Sequence, residues 1–139
     1  MAISANLRRH VVERANHRCE YCKTSARLTG TPLVIEHITP RSQNGSDDAE
    51  NLAASCYRCN EFKGAKTEAP DPDSQQLVPI FNARTQAWDD HFVWENGGTH
   101  IIGITPIGRA TVITLRMNND NIIMARSIWM ECAWHPPAG

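Results

Sequence analysis

Two Cys-x-x-Cys pairs constrain the fold of this chain more than any other feature. The pairs are Cys19/Cys22 and Cys56/Cys59, and 33 residues separate them. Each pair forms a tight knuckle that directs two sulfurs at one point, and four thiolates suit a tetrahedral structural zinc ion with Zn–S distances of about 2.3 Å. The separation is longer than in a minimal zinc ribbon, so we expect the intervening segment to carry structure and chemistry of its own.

Two disulfides or a redox dithiol are the alternative roles for these cysteines. The sequence shows no signal peptide and is not a disulfide-dense mini-domain, which disfavours disulfides. A redox dithiol typically follows a strand in a βαβ unit and would not occur twice. The spacing therefore favours one structural Zn²⁺ held by all four cysteines.

The segment between the knuckles has the pattern of two short strands joined by a loop. Residues 33–38 form a short apolar run that ends before Pro40, and residues 51–55 are a second strand candidate. The ten residues between Pro40 and Asn51 are mostly loop formers. After the second knuckle, residues 60–66 are predicted to open a helix. The predicted order is strand, loop, strand, knuckle and helix.

The flanking segments add helices and a hairpin. Ser4 is a suitable N-cap for a helix over residues 4–16. Residues 69–76 are rich in turn formers, and we divide the chain here into domains 1–68 and 69–139, with the second packed on the first. Asn-Gly-Gly at 96–98 predicts a β-hairpin over 91–104. Two helices should follow, one from Pro106 to about residue 118 and one that Asp120 caps.

Three fragments together resemble the HNH nuclease family, in its zinc-stapled ββα-metal subgroup. They are Glu-His-Ile-x-Pro at 36–40, an Asn fourteen positions after the His, and Cys-x-x-Cys-Asn-x-x-Lys-Gly at 56–64. The resemblance covers roughly the first half of the chain. It implies an α+β fold in which a four-cysteine zinc site staples a ββα unit, here followed by a C-terminal β-hairpin and two helices. It also implies a divalent-metal-dependent endonuclease that hydrolyses DNA phosphodiester bonds.

The resemblance assigns catalytic roles to four residues. His37 would take a proton from the attacking water, since an imidazole with an unperturbed pKa of about 6.5 suits a general base at neutral pH. Glu36 and Asn60 would hold a catalytic Mg²⁺ or Mn²⁺. Asn60 stands where the family pattern has His, and an amide oxygen is an acceptable ligand for a hard cation. Asn51 would orient His37 or brace the loop, although an Asn can also serve only as a turn residue.

Two further expectations concern geometry and DNA contacts. Adjacent strand residues point to opposite faces, so a shared site for Glu36 and His37 requires a local irregularity or a metal reached from the strand edge. Three basic residues are candidate phosphate contacts, with ordinary surface charge as the alternative role: Arg41, Arg58 and Lys63.

Composition leaves rival functions open. The net charge is −1, which is not typical of a strongly basic nucleic-acid binder. The sequence has no apolar run long enough to span a membrane and no leader, so we expect a cytoplasmic protein. A non-catalytic zinc module that binds nucleic acid or protein is the first rival, and a purely structural zinc domain is the second. One active site cuts one strand, so nicking and double-strand cutting by a homodimer are equally compatible with the sequence.

Overall fold

The computed structural model describes residues 3–137, which form two compact units. The first contains the described residues up to Thr67 together with Asn82–Gln86, and the second contains Glu68–Phe81 and the described residues from Ala87 onward. The structure thus divides the chain at Thr67, and Asn82–Gln86 returns to the first unit. Residues 1, 2, 138 and 139 of the predicted domain ranges lie outside the described residues.

The described residues form five α-helices and six short strands. The helices are α1 Ala5–Arg14, α2 Ala26–Thr29, α3 Tyr57–Lys63, α4 Pro106–Thr114 and α5 Asp120–Glu131. The strands are β1 Val34–His37, β2 Leu52–Ser55, β3 Glu68–Pro70, β4 Leu77–Pro79, β5 Phe92–Glu95 and β6 His100–Gly103. They pair as three antiparallel two-stranded sheets, β1 with β2, β3 with β4 and β5 with β6. None of the helices within residues 3–137 combines the length and the apolar character needed to cross a membrane.

Helix α1 packs beside the central ladder of the first unit. Ser4 Oγ accepts a hydrogen bond from Leu7 N at 3.1 Å, so the predicted N-cap is confirmed. Val11 is fully buried, and Arg14 donates from Nη2 to Ala49 O at 2.8 Å. The helix is therefore held by both apolar packing and a hydrogen bond to the backbone that precedes β2.

The ββα unit has the predicted order of elements. Strands β1 and β2 are antiparallel, with His37 opposite Leu52, and every residue of β2 is buried. Helix α3 begins within the second knuckle, because Cys56 Sγ accepts from Cys59 N at 3.4 Å and caps the helix. The predicted start at Asn60 was therefore wrong by one turn. The mixed α/β architecture itself is confirmed.

A buried ion pair joins Asn82–Gln86 to the first knuckle. Glu20 accepts a hydrogen bond from Ala54 N at 2.8 Å, and its other carboxylate oxygen pairs with the Arg84 guanidinium. Arg84 also donates from Nη1 to Leu52 O at 3.1 Å. Both charges thus have partners inside the first unit, which a buried ion pair requires.

The second unit contains the predicted hairpin and two helices. Strand β5 pairs with β6 so that Glu95 faces His100. Helix α4 ends at Thr114, four residues before the predicted end, and Arg116 then adopts a left-handed conformation with φ 51°. The N-cap of α5 is Asn119, whose Oδ1 accepts from Ile122 N at 3.0 Å, and the prediction that Asp120 caps it was wrong.

The sequence did not predict the short β3–β4 ladder. Asp71 closes its turn, because its side chain accepts from Asp73 N and Ser74 N at 3.2 and 3.4 Å. Arg109 forms a bidentate pair with the Asp71 carboxylate at 2.9 and 3.0 Å, and this guanidinium holds the pKa of Asp71 far below its usual range. Each of the two strands ends in a proline, which disfavoured a strand prediction from the sequence. A two-stranded sheet tolerates these prolines because both of its strands are edge strands.

Candidate functional site

The four knuckle cysteines converge on one point. Their sulfur atoms all lie within 4.8 Å of one another, and the Sγ atoms of Cys22 and Cys56 are 3.7 Å apart. A tetrahedron with Zn–S bonds of about 2.3 Å has edges of about 3.8 Å. Cys19, Cys22 and Cys59 are buried and Cys56 is half-buried. The cluster could therefore hold a structural zinc ion.

The surroundings of the sulfurs also suit a bound cation. All five cysteines are free, so the disulfide alternative does not describe this fold. The backbone N–H groups of Cys22 and Cys59 donate to Cys19 Sγ and Cys56 Sγ, each at 3.4 Å. Burial raises the pKa of the Cys19 thiol, and the neighbouring sulfurs raise that of Cys59. Four thiolates in this space require a compensating positive charge.

His37 lies at the end of β1 against a carboxylate from the following loop. Its Nε2 is 2.7 Å from Asp47 Oδ1, and its side chain is 17% exposed. Arg41 approaches the same oxygen with Nε and Nη2, each at 3.0 Å. The Arg41 and His37 hydrogen bonds lower the pKa of Asp47. The imidazole is thus half-buried, oriented by an anion, and still accessible to solvent.

Asn51 braces the loop that follows β1. Its Oδ1 accepts from Thr39 N at 2.8 Å, and its Nδ2 donates to Thr39 O and Ser46 O at 2.9 and 2.8 Å. These three bonds connect both ends of the loop to the start of β2. Of the roles considered for Asn51, these contacts support the bracing role, while Asp47 is the residue in contact with the His37 ring.

Glu36 points into the first unit. Tyr21 donates from Oη to Glu36 Oε2 at 2.6 Å, and Lys63 Nζ lies 2.5 Å from Oε1. The Glu36 and Lys63 side chains are 3% and 2% exposed. Lys63 also donates to Ile38 O at 3.2 Å. Burial raises the pKa of Glu36, and the nearby ammonium group opposes that rise.

The structure does not bring Glu36 and His37 into one open site. Strand β1 keeps a regular register, with Glu36 opposite Ala53 and His37 opposite Leu52. Neighbouring residues on such a strand face opposite sides. The expected irregularity is therefore not present within β1, and the carboxylate is buried while the imidazole is partly exposed.

The donor types at Glu36 and Asn60 nevertheless fit a hard divalent cation. Glu36 Oε1 is buried and makes no contact with hydrogen-bond geometry, although the Lys63 ammonium lies close to it. Asn60 is half-buried on α3, and no hydrogen bond links its side-chain amide to another residue within 3–137. One carboxylate and one amide oxygen are ligands that Mg²⁺ and Mn²⁺ accept. In this structure, the Lys63 ammonium group neutralises the negative charge of Glu36, the group that such a cation would bind.

The three candidate phosphate contacts have different surroundings. Arg41 is exposed and engaged with Asp47. Arg58 is half-buried on α3, and within the described chain its guanidinium forms no hydrogen bond or ion pair with another residue. Lys63 is 1% exposed and is the counter-ion of Glu36. Its burial conflicts with the expected phosphate contact, because a DNA backbone meets exposed cations.

The sequence did not predict two residues that contact the candidate site residues. Asp47 lies within a run of loop formers, and no spacing rule links it to a histidine ten positions earlier. Tyr21 lies between the cysteines of the first knuckle, where a buried hydroxyl that pairs with Glu36 leaves no mark in the sequence. Both contacts depend on how the loop and the knuckle fold back on β1.

Comparisons with known proteins match the part of the chain that holds this site. Residues 19–66 match the family model described as HNH endonuclease. A stretch of 54 residues is 43% identical to the CRISPR-associated endonuclease Cas9 of Corynebacterium diphtheriae. That match covers 38% of this chain and 5% of the Cas9 protein. The similarity supports nuclease activity at the level of the family, over the zinc-knuckle and ββα segment.

Proposed function

We propose that residues 19–66 form a metal-dependent endonuclease unit that hydrolyses DNA phosphodiester bonds. The observation that carries the proposal is the His37 imidazole, partly exposed and oriented by a carboxylate, on a ββα unit whose knuckles can hold zinc. A purely structural zinc module has no need of such a histidine. The match to the HNH family model over the same residues supports this assignment.

His37 is the proposed general base. It accepts a proton from a water molecule, and the resulting hydroxide attacks phosphorus while the bond to the leaving 3′ oxygen breaks. The electron pair of that bond passes to the leaving oxygen, which takes up a proton from solvent. His37 then returns its proton to solvent. Asn51 maintains the loop that follows His37 through its bonds to Thr39 and Ser46.

Metal ions have two separate proposed roles. Cys19, Cys22, Cys56 and Cys59 hold a structural Zn²⁺ that fixes the ends of the ββα unit. Glu36 and Asn60 would hold Mg²⁺ or Mn²⁺, which when bound neutralises charge on the scissile phosphate and the leaving oxygen. Loading this second site requires Lys63 to release the Glu36 carboxylate, because the ammonium group is 2.5 Å from Oε1.

DNA is the proposed substrate, and Arg41 and Arg58 are the proposed phosphate contacts. Within the described residues the Arg58 guanidinium forms no ion pair, whereas the Arg41 guanidinium pairs with Asp47. Lys63 is buried and is therefore not one of the proposed phosphate contacts. One such unit cuts one strand at a time, so cleavage of both strands requires a second event or a homodimer. Reduced metal-binding thiolates are typical of the cytoplasm, where we place the protein.

Relaxation of supercoiled plasmid DNA tests this proposal. The unaltered protein, His37→Ala and His10→Ala are compared with Mg²⁺ or Mn²⁺ after each is shown to hold one zinc per chain. His10 is an exposed residue of α1 and provides a matched histidine control. We expect nicked or linear plasmid with the unaltered protein and the control, and none with His37→Ala. Equal cleavage by all three proteins would exclude His37 as the general base.

A non-catalytic nucleic-acid-binding module is the second candidate, and one observation favours it. The carboxylate expected to bind the catalytic metal is an internal ion-pair partner of Lys63. A gel-shift assay with the same plasmid separates the two functions. Binding by folded, zinc-loaded protein without any metal-dependent cleavage would support the binding module and contradict the nuclease.

A further inference from the structure

The contact between His37 and Asp47 has the geometry of a strong, charge-assisted hydrogen bond. The distance between Nε2 and Oδ1 is 2.7 Å, at the short end of the range for nitrogen donors and carboxylates. Arg41 donates from Nε to the same oxygen at 3.0 Å. At the end of β1, the Asp47 carboxylate thus lies between the His37 imidazole and the Arg41 guanidinium and contacts both. Glu36, the residue before His37, also interacts with it electrostatically, and its side chain is buried.

The backbone of the loop fixes the position of Asp47. Gly45 N donates to Pro40 O at 2.9 Å, and Asn51 holds Ser46 O and both backbone groups of Thr39. A Cβ atom at Gly45 would lie 1.7 Å from Thr39 O, so only glycine fits this approach. Asp47 follows this closed segment directly. The fold of the loop therefore fixes the backbone position from which Asp47 reaches the imidazole.

The chemistry of the pair determines which ring nitrogen is available. An ionised carboxylate can only accept hydrogen bonds, so Nε2 must carry a proton to bond with Asp47. In the neutral imidazole the other nitrogen, Nδ1, then has the free lone pair. When Nδ1 takes a proton, the ring becomes positively charged and the adjacent carboxylate stabilises it.

We propose that Asp47 is the positioning residue for His37, holding the ring in the Nε2–H tautomer so that Nδ1 accepts the proton of the attacking water. This inference rests on the proposed nuclease function and names a residue that the family match does not assign. In the step, the water O–H bond breaks and its proton moves to Nδ1. The hydroxide electron pair forms the new bond to phosphorus. The bond to the leaving oxygen breaks, and its electron pair stays on that oxygen, which takes up a proton from solvent. Arg41 keeps Asp47 ionised and turned toward the ring.

Three variants test the inference. Asp47→Ala removes the acceptor, and Asp47→Asn keeps the size of the side chain but removes its charge. Asp48→Ala is the matched control, because Asp48 is the next residue, is exposed, and makes no side-chain cap of the following turn. Zinc content and circular dichroism establish that each protein is folded. The asparagine variant remains informative if the alanine variant does not fold.

Two readouts distinguish positioning from a merely structural role. Nitrogen-15 NMR of the His37 ring, at a pH where it is neutral, should show the Nε2–H tautomer in the unaltered protein and in Asp48→Ala. Asp47→Ala should shift the population toward Nδ1–H. Cleavage of supercoiled plasmid should show kcat lower by about 10–100-fold in both Asp47 variants, the range found for carboxylates that orient a metal-ligating histidine, with KM unchanged.

The outcomes separate this inference from the proposed function. Absence of cleavage by the unaltered protein would contradict the nuclease itself. With an active unaltered protein, an unchanged tautomer in Asp47→Ala, or a kcat in Asp47→Asn equal to that of Asp48→Ala, would overturn the role of Asp47 and leave the nuclease assignment standing.

Discussion

Replacing Lys63 by methionine tests whether the buried ammonium group stabilises the first unit. Lys63 Nζ lies 2.5 Å from Glu36 Oε1, and the two side chains are almost completely buried. Methionine has nearly the length of the lysine stem and carries no charge. The substitution therefore removes the counter-ion and little packing volume, while Tyr21 continues to donate to Glu36 Oε2.

We expect a large loss of stability. Removing one partner of a buried ion pair costs about 3–5 kcal/mol, because the remaining charge is no longer compensated. Domains unfold with free energies of about 5–15 kcal/mol in total. At about 3 °C per kcal/mol for a chain of this size, the melting temperature should fall by about 9–15 °C.

The loss of stability in Lys63→Met should increase as the pH rises. Burial raises the pKa of Glu36, and Lys63 opposes that rise. Without Lys63 the pKa of Glu36 in the folded state rises further above its unfolded value. A raised carboxyl pKa destabilises the fold as pH increases. The deficit of Lys63→Met relative to the unaltered protein should therefore be smallest in acid and grow as the pH rises above the raised folded-state pKa of Glu36 in the unaltered protein.

Calorimetry of the zinc-loaded proteins, without added Mg²⁺, measures this effect. Lys66→Met is the matched control, because Lys66 is exposed and its ammonium group donates to Phe62 O at a long 3.4 Å. The stability of this variant should stay within about 0.5 kcal/mol of that of the unaltered protein. The double variant Glu36→Gln/Lys63→Met removes both charges and should be more stable than Lys63→Met alone. Equal melting temperatures for Lys63→Met and Lys66→Met would refute the reasoning.

Three further predictions concern other parts of the chain. Cys59→Ser should lower zinc content below one per chain and unfold the first unit, measured by zinc analysis and hydrogen exchange, because the four sulfurs share one site. Asn51→Ala should cost about 1–3 kcal/mol and speed exchange of the Thr39 amide, whose acceptor is Asn51 Oδ1. Arg109 lowers the pKa of Asp71, so this pair stabilises the fold above the unfolded pKa of about 3.9 and the benefit is lost as pH falls. The stability difference between the unaltered protein and Asp71→Asn should therefore shrink in acid titrations, and a constant difference would contradict this account.

The features that the sequence predicted are those set by near neighbours. Ser4 caps its helix through an N–H three residues away. The hairpin turn requires Gly97 at φ 73°, a conformation that glycine adopts at little cost. Each Cys-x-x-Cys knuckle is likewise closed by its own backbone. Such contacts between near neighbours can be predicted from the amino-acid sequence.

The features that the sequence missed depend on chain segments that meet only after folding. Charged residues are usually exposed, so nothing local indicated that Lys63 would be buried against Glu36. The partner of His37 was equally hidden, because Asp47 reaches it only after Asn51 and Gly45 close the intervening loop. In both cases a tertiary contact, and no local propensity, decides the role of the side chain.

The buried pair also connects the two parts of the proposed nuclease. A divalent cation that binds Glu36 must displace the Lys63 ammonium, so its net affinity is lowered by the free energy of that ion pair. Lys63 also donates to Ile38 O, the carbonyl of the residue directly after His37. Movement of Lys63 would therefore remove a support of the backbone that carries His37, the proposed general base. Metal binding at Glu36 and the placement of His37 are, on this reasoning, coupled through one lysine.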